Sequence, residues 1–393
     1  MKIKSIKNLK NLAGKRVLLR SDFNVPLKNG EILEDYKIMR NLPTINFLLE
    51  QKCKIIVIAH LGNPKAGVFE EKFSLKPVAK YLDKKIKAKV RFVADTHGFA
   101  AGTAVMQMKS KEILFLENLR FYEGEKKNSA EFAKKLASLA DVYVNDAFGT
   151  SHRADASVSA IKKYLPSYAG LLLENEVIHL EKIRKPKKPL VVIIGGAKLG
   201  TKIPLIKAFQ KTAYRILVGG ALANNFFAVH NYNIGRSLVD DESIKFARKL
   251  VKNHKNSNIV LPIDVMVGSK KNFWDAHAVP ANKVGDKDYI LDIGPKTVEF
   301  YKKYIFGAAT VVWNGPMGMF EEKKFRHGTL SIARSMSLAT DKKVFCVAGG
   351  GETVEALKMT KTTSHINWLS TGGGAMLSYL AGEKMPGLSE IVY

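Results

Sequence analysis

Short runs of apolar, largely β-branched residues recur along the chain, each ending in a polar or glycine-rich tip before an amphipathic segment. Four such runs lie in the first half: RVLLRSDFN, IIVIAHLGNP, ILFLENLRF and VYVNDAFGTSHR. Six lie in the second half: LVVIIGGAK, RILVGGALANN, NIVLPIDV, TVVWNGPMG, VFCVAGGGET and INWLSTGGGA. Near-continuous apolar runs that alternate with amphipathic segments are typical of parallel strands buried between helices. The pattern therefore predicts an α/β protein with two doubly wound, Rossmann-like parallel-sheet domains.

The length of the chain also favours two domains, because 393 residues exceed the roughly 250–300 that one hydrophobic core usually serves. The segment LLLENEVIHLEKIRK has the pattern of one continuous helix between the two halves. We therefore expect a first domain over residues 1–170, a connecting helix and linker over 171–188, and a second domain over 189–376. Domains joined in this way predict a cleft and a hinge between them.

Composition indicates where the protein works. Cys53 and Cys346 lie in apolar runs, which favours buried thiols in a reducing compartment over a disulfide or a metal site. The N-terminal stretch MKIKSIKNLKNLAGKR lacks an apolar core of signal-peptide length, and no apolar run approaches about 18 residues. We therefore expect a cytoplasmic protein without a membrane partner.

The charge balance favours anionic ligands. The chain has 63 Lys and Arg against 36 Asp and Glu, a formal net charge of +27. A strong positive potential suits phosphorylated metabolites or nucleic acid, although many lysines equally suit solvated helix faces. The densest basic run, KIRKPKKP at 182–189, contains no aromatic residue on which a base could stack. No helix-turn-helix, zinc-finger or aromatic RNA-binding pattern accompanies the charge, so we expect small-molecule partners rather than nucleic acid.

Polar and glycine residues at the predicted strand ends form two chemically different sets. Ligands of open α/β sheets bind beyond the carboxyl ends of the strands, where these residues converge. Cations and hydrogen-bonding groups that suit a small anion make up the first-half set: Asp22, Asn24, His60, Arg120, His152 and Arg153. The second-half set combines glycine amides that suit phosphate with lysines and with carboxylates that suit Mg²⁺: Lys198, Lys202, Asn314, Glu321 and Glu352. An anion site facing a nucleotide site predicts a kinase of small phosphorylated metabolites.

One glycine loop, GGAKLGTK at 195–202, raises the question of a P-loop because it follows the apolar run PLVVII. Gly195 and Gly200 have the spacing of the motif G-x-x-x-x-G-K-[ST], but Thr201 and Lys202 follow in the reverse order. No Walker-B partner or switch segment accompanies the loop. It therefore indicates a different way of holding a nucleotide, with two lysines four residues apart.

Eight motifs in this order resemble those of the phosphoglycerate kinase family along nearly the entire chain: SDFNVPL, AHLGNP, LENLRFYEGE, DAFGTSHRA, GGAKLGTKI, VWNGPMGMFE, GGGET and STGGGA with LAGEKMPG. The resemblance implies a glycolytic kinase that reversibly converts 1,3-bisphosphoglycerate and MgADP into 3-phosphoglycerate and MgATP. It also implies that a C-terminal tail, over residues 377–393, returns to the first domain. We expect a monomer whose hinge closes on both substrates, with Mg²⁺ bound beside the nucleotide.

The resemblance also implies roles for residues of the second half. Lys198 would stabilise the transferred phosphoryl group, and Gly372, Gly373 and Gly374 would aim backbone amides at it. Contacts with the nucleotide are implied for Lys202, Gly219, Gly220, Asn314, Glu321, Gly350, Gly351, Glu352 and Thr353. Within that set Glu352 would serve the Mg²⁺ ion, and Glu321 would take the ribose hydroxyls.

In the first half the resemblance implies a site for the glycerate substrate and its phosphate. Its residues would be Asp22, Phe23, Asn24, His60, Gly62, Asn63, Arg120 and Arg153. Asp22 and Asn24 would bind the hydroxyl and carboxylate. Arginine forks fit phosphate oxygens well, which suits Arg120 and Arg153 as a phosphate clamp.

Four positions depart from the family's pattern, among them Ser378, which stands where the family's last helix often has a glutamate. Aligning the run LPT at 42–44 puts Lys37 where the family has an arginine that stabilises the transferred group; lysine keeps the charge but loses the planar fork. Asn63 replaces an arginine of the substrate clamp, and Glu352 replaces an aspartate. Lys37 and Asn63 leave open a chain with this fold that binds nucleotide but turns over poorly. The net charge leaves open a basic protein with a nucleic-acid-binding side role.

Overall fold

Two compact units make up the chain, one formed by Met1–Ile178 with Lys384–Tyr393 and the other by His179–Glu383. Each contains a six-stranded, fully parallel sheet, which confirms the predicted pair of Rossmann-like α/β domains. The computed structural model describes residues 2–197, 200, 202–253, 258–269 and 275–393. Within those residues, no helix combines the length and the apolar character needed to cross a membrane.

The sheet of the first unit has the strand order β5-β6-β4-β1-β7-β8. The strands of this unit are β1 Arg16–Arg20, β2 Leu27–Lys28, β3 Glu31–Ile32, β4 Lys54–Ile58, β5 Val90–Val93, β6 Ile113–Leu116, β7 Val142–Asn145 and β8 Ser167–Ala169. The helices are α1 Tyr36–Glu50, α2 Lys76–Lys85, α3 Phe99–Met106, α4 Glu123–Lys126, α5 Ala130–Ala137 and α6 Leu171–Arg184. β2 and β3 form a separate antiparallel hairpin after β1.

Alternate residues of the central strands enter two different hydrophobic clusters, one on each face of the sheet. On β1, Val17 and Leu19 belong to one cluster and Leu18 to the other. The same alternation occurs on β4, where Ile55 and Ile56 take opposite faces. Because both faces are covered by helices, every position along these strands must be apolar, which is why the sequence shows continuous rather than alternating runs.

The sheet of the second unit has the order β11-β10-β9-β15-β16-β17, and a three-stranded antiparallel sheet has the order β13-β12-β14. Their strands are β9 Leu190–Ile194, β10 Arg215–Val218, β11 Ile259–Val260, β12 Asp264–Gly268, β13 His277–Pro280, β14 Tyr289–Ile293, β15 Thr310–Asn314, β16 Phe345–Gly349 and β17 Trp368–Ser370. The helices are α7 Ile203–Phe209, α8 Ala221–Val229, α9 Asp241–Asn253, α10 Pro295–Phe306, α11 His327–Asp341, α12 Gly351–Met359 and α13 Gly373–Leu380.

The run NIVLPIDV does not form the single parallel strand that its apolar pattern predicts. Its first part is β11, which pairs in parallel with β10, and its second part begins β12 of the antiparallel sheet. Pro262 lies between the two strands. Proline has no N–H to donate to a ladder, so it is excluded from the middle of a paired strand and the chain changes sheets there.

The predicted connecting helix is present as α6, and the division between the two units falls inside it, after Ile178. Its N-terminus is held by Asp146, whose carboxylate accepts hydrogen bonds from the backbone amides of Leu172 and Leu173 at 2.9 and 3.1 Å. Burial raises the pKa of Asp146 to about 7. The returning C-terminal segment begins at Lys384 rather than at the expected residue 377. The residues before it include the last turns of α13, whose apolar face is buried within the second unit.

Residues 384–393 complete the first unit by pairing with its N-terminal segment. Tyr393 N–H donates to the carbonyl of Lys2 at 3.0 Å, and Lys4 N–H donates to the carbonyl of Ile391 at 2.9 Å. The buried ammonium of Lys162 donates to the backbone carbonyl and the hydroxyl of Ser389, at 2.7 and 2.6 Å. One side chain from the body of the unit therefore holds the returning segment at several acceptors.

We expect Lys162→Met to loosen this segment without unfolding the rest of the unit. Losing charged hydrogen bonds to partly buried acceptors typically costs about 1–3 kcal/mol. Amide hydrogen exchange should therefore speed up at Lys4 and Tyr393. The matched control is Lys163→Met, because Lys163 is the exposed neighbour on the same turn. Equal exchange in the two variants would show that Lys162 does not hold the segment.

Candidate active site

The first group of predicted site residues lies at the carboxyl end of the first unit's sheet. β1 is a central strand, between β4 and β7, and the residues after it approach those that follow β4 and β6. Asp22 and Asn24 follow β1, His60 and Gly62 follow β4, and Arg120 lies in a 3-10 helix after β6. Hydrogen bonds among these segments, described below, show that the structure brings the predicted residues together.

Lys37 pairs directly with Asp22 in this group. The Lys37 ammonium, on the first turn of α1, donates to Asp22 Oδ2 at 2.8 Å. Burial alone would raise the pKa of Asp22, but Lys37 and then Arg20 hold it below its ordinary value. Asp22 is therefore an ionised carboxylate that fixes the Lys37 ammonium at the carboxyl end of the sheet.

His60 is buried and surrounded by cations. Burial lowers its pKa well below the ordinary value, and the charges of Arg20 and Arg120 lower it further. Arg20 Nη2 donates to His60 Nδ1 at 3.0 Å. An arginine can only donate, so Nδ1 is the acceptor and the neutral imidazole carries its proton on Nε2. His60 can therefore offer one N–H to an anion without being charged itself.

Arg20 is a member of this group that the sequence reasoning missed. It is fully buried at the end of β1. Its Nε donates to Ser157 Oγ at 2.9 Å, and the Ser157 hydroxyl donates onward to Glu125 Oε1 at 2.6 Å. Burial raises the pKa of Glu125, and Arg20 opposes that rise. The signal was present in the sequence, because an arginine that ends the otherwise apolar strand RVLLR must find buried acceptors.

Arg120 is bonded to the loop after β4, which is bonded in turn to the loop after β1. Its Nη1 donates to the carbonyl of Gly62 at 2.7 Å, and the Gly62 N–H donates to Asn24 Oδ1 at 2.8 Å. Gly62 has φ +60°, and a Cβ there would lie 2.4 Å from the ring of Phe73. Burial lowers the pKa of Arg120, and the nearby Arg153 lowers it further. The like charge of Arg153 therefore acts on the Arg120 guanidinium.

The remaining predicted residues of this site lie further from its buried centre. The Phe23 ring is in the core, stacked on Phe115 with centroids 5.7 Å apart, so only its backbone can face a ligand. Arg153 and Asn63 are exposed, and His152 is half-buried beside Arg153. Asn63 Oδ1 accepts a hydrogen bond from the ammonium of Lys126.

The second group surrounds a cavity of about 330 Å³ within the second unit. Three of the predicted residues line it: Gly220, Glu321 and Glu352. Most of the other lining residues are apolar and include Leu238, Leu291 and Met317. A cavity with apolar walls and a few polar groups at its rim is typical of sites for flat organic ligands such as a nucleobase. Leu238 and Leu291 were missed because apolar residues in loops and strands carry no individual signal in the sequence.

Glycines close this cavity because backbones meet there without room for side chains. A Cβ on Gly219 would lie 2.6 Å from Met317 Sδ. Gly220 has φ +62°, and a Cβ there would lie 2.8 Å from the backbone nitrogen of Gly196. The loops after β9, β10 and β15 are thus packed closely against one another, and the amides of Gly195 and Gly220 donate to the carbonyls of Asn314 and Met317 within this packing.

Lys202 lies at the start of α7 and points to the end of β15. Its ammonium donates to Asn314 Oδ1, and Asn314 Nδ2 donates to the carbonyl of Gly349 at 2.7 Å. Burial lowers the pKa of Lys202 to about 8, and the charge of Glu352 opposes that fall. Lys198, the other lysine of the loop, lies outside the described residues.

Two helices begin at glycine-rich turns, as the motifs GGGET and STGGGA predict. Gly350 has φ +99° and precedes α12, whose first residue is Gly351. Thr353, on the first turn of α12, accepts a hydrogen bond from the amide of Gly315 at 2.8 Å. Gly372 precedes α13, and no atom lies within 4 Å of the position that a Cβ on Gly373 would take. Helix N-termini with such open backbone suit phosphate groups.

The donor set fits a magnesium ion that is shared with a nucleotide. Among the described residues, no cluster of three or more His, Cys, Asp or Glu side chains is arranged to hold a metal. Mg²⁺ is commonly held by one or two carboxylates together with substrate phosphates. Glu352 meets that requirement, because it is exposed on the first turn of α12 and lines the cavity.

Comparisons with known proteins agree with this geometry. The family model for phosphoglycerate kinase matches residues 6–383. A phosphoglycerate kinase of Thermosipho africanus is 42% identical over 97% of this chain and 96% of its own length, and one of a Wolbachia strain from Drosophila simulans is 44% identical over 100% and 99%. The solved phosphoglycerate kinase of Coxiella burnetii has a TM-score of 0.85 and 38% identity, covering 98% of both chains. The chain therefore belongs to the phosphoglycerate kinase family, and it is a glycolytic phosphotransferase that works with magnesium-bound ADP and ATP.

Proposed function

We propose that the two groups of residues hold the two substrates of the family's reaction, with 3-phosphoglycerate in the first unit and the nucleotide in the second. The observation that carries the first assignment is the cation cluster around His60. Arg20 bonds to His60 itself, and Arg120 donates to the carbonyl of Gly62, two residues further along the loop. Burial lowers the pKa of His60 most, and the charges of Arg20, Arg120, Lys37 and Arg153 lower it further. A small ligand with several negative charges is the partner that such a cluster stabilises most.

Within this site the buried groups would orient the glycerate and the rim groups would hold its phosphate. Asp22 and Asn24 are fixed by Lys37 and by Gly62, so they present defined acceptors to a hydroxyl. His60 Nε2–H and the Arg120 guanidinium supply donors to the anionic groups. Arg153, which is exposed and whose charge acts on Arg120, would complete a clamp for the phosphate distal to the reacting carboxyl group.

Lys37 is the residue that we assign to the transferred phosphoryl group on the side of the first unit. Its ammonium is held by a buried carboxylate, so its position is fixed before the substrate binds. Preorganised charge of this kind stabilises a transition state without reorganisation at the moment of reaction. The comparisons give no support to the alternatives of impaired turnover or a nucleic-acid-binding role. In this proposal Lys37 therefore takes the role that an arginine has in the family.

In the second unit the cavity would take the adenine, and Glu321 at its rim the ribose. Lys202, Asn314 and the amides that open α12 would contact the phosphates, with Thr353 fixing the loop after β15. The Mg²⁺ ion held by Glu352 would neutralise phosphate charge in the reaction. Gly372, Gly373 and Lys198 are proposed to stabilise the phosphoryl group in transfer.

Transfer itself needs reacting atoms about 3–3.5 Å apart, so the two bound substrates must be brought together. Hinge closure, the monomeric state and a cytoplasmic location stay predictions for the same chain.

The direct test of the function is a coupled assay of ATP-dependent phosphorylation of 3-phosphoglycerate. We expect robust turnover that Lys198→Ala lowers by at least about 10²-fold, the usual scale for losing one preorganised charge.

We expect Lys37→Gln to lower kcat by about 10²-fold, because the fixed positive charge is lost from the transition state. Lys37→Arg should keep kcat within about threefold, since an arginine can form the same pair with Asp22. The control is Lys28→Met, an exposed lysine of the hairpin. Thermal melting of each variant separates lost catalysis from lost folding. Full turnover in folded Lys37→Gln would remove Lys37 from the catalytic set.

The lowered pKa of Lys202 predicts a pH dependence of nucleotide capture. The ammonium is charged below about pH 8 and loses its proton as the pH rises through that value. We therefore expect kcat/KM for MgATP to fall above about pH 8, because this parameter reports the groups of the free enzyme. Lys202→Arg should move the fall to higher pH, and kcat/KM for 3-phosphoglycerate at saturating MgATP should lack it. A fall that survives in Lys202→Arg would assign it to another group.

A further inference from the structure

Two residues of the loop that follows β4, His60 and Gly62, are bonded to other residues of the proposed substrate site. His60 accepts a hydrogen bond from Arg20, and the backbone of Gly62 is bonded to both Arg120 and Asn24. Asn63 is the next residue, and its Cα lies about 3.8 Å from that of Gly62. Any group that binds the Asn63 side chain is therefore held at the rim of the same site.

The group held there is the ammonium of Lys126. It donates a hydrogen bond to Asn63 Oδ1. Both side chains are exposed, so the ammonium remains accessible to a ligand in solvent. The amide oxygen of asparagine is neutral, and the pair therefore keeps the full positive charge of the lysine, in contrast to a pair with a carboxylate.

The carboxylates nearest to Lys126 in the sequence are engaged elsewhere. Glu123 forms an ion pair with Lys127 at 2.6 Å. Glu125 is buried and accepts hydrogen bonds from the amide and the hydroxyl of Ser157, at 3.0 and 2.6 Å. The Lys126 ammonium is thus bonded to Asn63, while these two carboxylates of its own helix have other partners.

The backbone that carries Lys126 is well fixed. α4 follows directly on the 3-10 helix that contains Arg120. The buried carboxylate of Glu125, one residue before Lys126, is joined through Ser157 to Arg20. One short segment therefore presents a buried arginine to the centre of the site and an exposed lysine to its rim.

We propose that Lys126, oriented by Asn63, is a further substrate-binding residue that contacts the phosphate of 3-phosphoglycerate beside Arg120 and Arg153. The assignment rests on the proposed location of that substrate in the first unit. The phosphate is remote from the reacting carboxyl group, so its contacts act equally on ground state and transition state. Such uniform binding changes KM for 3-phosphoglycerate and leaves kcat unaltered.

The first experiment compares Lys126→Met with the matched control Lys127→Met, since Lys127 is the exposed neighbour that pairs with Glu123. We expect Lys126→Met to raise KM for 3-phosphoglycerate about three- to tenfold at low ionic strength, with kcat and KM for MgATP within twofold. The increase should shrink as KCl is added, because salt screens an exposed charge. Titration of the nucleotide-free protein with 3-phosphoglycerate should show the same loss of affinity. Lys127→Met should match the wild type.

The second experiment restores the charge from the other member of the pair. Asn63→Arg introduced into Lys126→Met should return KM for 3-phosphoglycerate to within about twofold of the wild type. A merely structural role for the Lys126–Asn63 contact would not be repaired in this way, and it would alter KM for MgATP and the melting temperature together.

An Arg120→Met variant separates failure of this inference from failure of the proposed site. An unchanged KM for 3-phosphoglycerate in Lys126→Met, with a large increase in Arg120→Met, would overturn the role of Lys126 alone. An unchanged KM in both folded variants would overturn the location of the substrate. Equal changes in Lys126→Met and Lys127→Met would indicate a general field effect and would also reject the specific contact.

Discussion

Several positive charges are held together at the carboxyl end of the first unit's sheet, and much of the surrounding structure follows from that constraint. Arg20 and Arg120 are buried near Lys37 and Arg153, where the low dielectric strengthens their mutual repulsion. Buried carboxylates offset it: Asp22 pairs with Lys37, and Glu125 is joined through Ser157 to Arg20. His60 contributes a donor without adding a charge. Two of the four cations therefore have a carboxylate partner, directly or through a hydroxyl, and the remaining positive charge favours an anion.

The second unit meets a different constraint, which is steric. Three loops approach so closely that their backbones are in contact, and Gly195, Gly220 and Gly315 are required at positions where a Cβ would lie 2.0–2.8 Å from a neighbouring backbone atom. The glycines are therefore required by the packing of the loops, because only a backbone without a side chain can approach another backbone this closely.

The sequence alone was sufficient for the fold class and for the family, because the strands of a doubly covered parallel sheet are continuous apolar runs with polar ends. It was insufficient wherever a residue's role depends on a partner distant in the chain. Arg20 acts through Ser157 and Glu125, and the effect of Lys126 depends on Asn63, so the sequence does not name the partners of either residue. The prediction of a single strand for NIVLPIDV was wrong, but the sequence contains the reason, since Pro262 marks the break between the two strands. The apolar walls of the cavity in the second unit, such as Leu291, gave no comparable signal.

The docking of residues 384–393 has a consequence for the order of events during synthesis. The first unit lacks its final segment until the ribosome has made the whole of the second unit, because His179–Glu383 precedes that segment in the chain. The segment pairs with the N-terminal residues Lys2 and Lys4, which emerge first. While some two hundred further residues are translated, the carbonyl of Lys2 and the amide of Lys4 therefore lack the partners that the final segment provides. The first unit therefore completes its fold only after the second unit has been made.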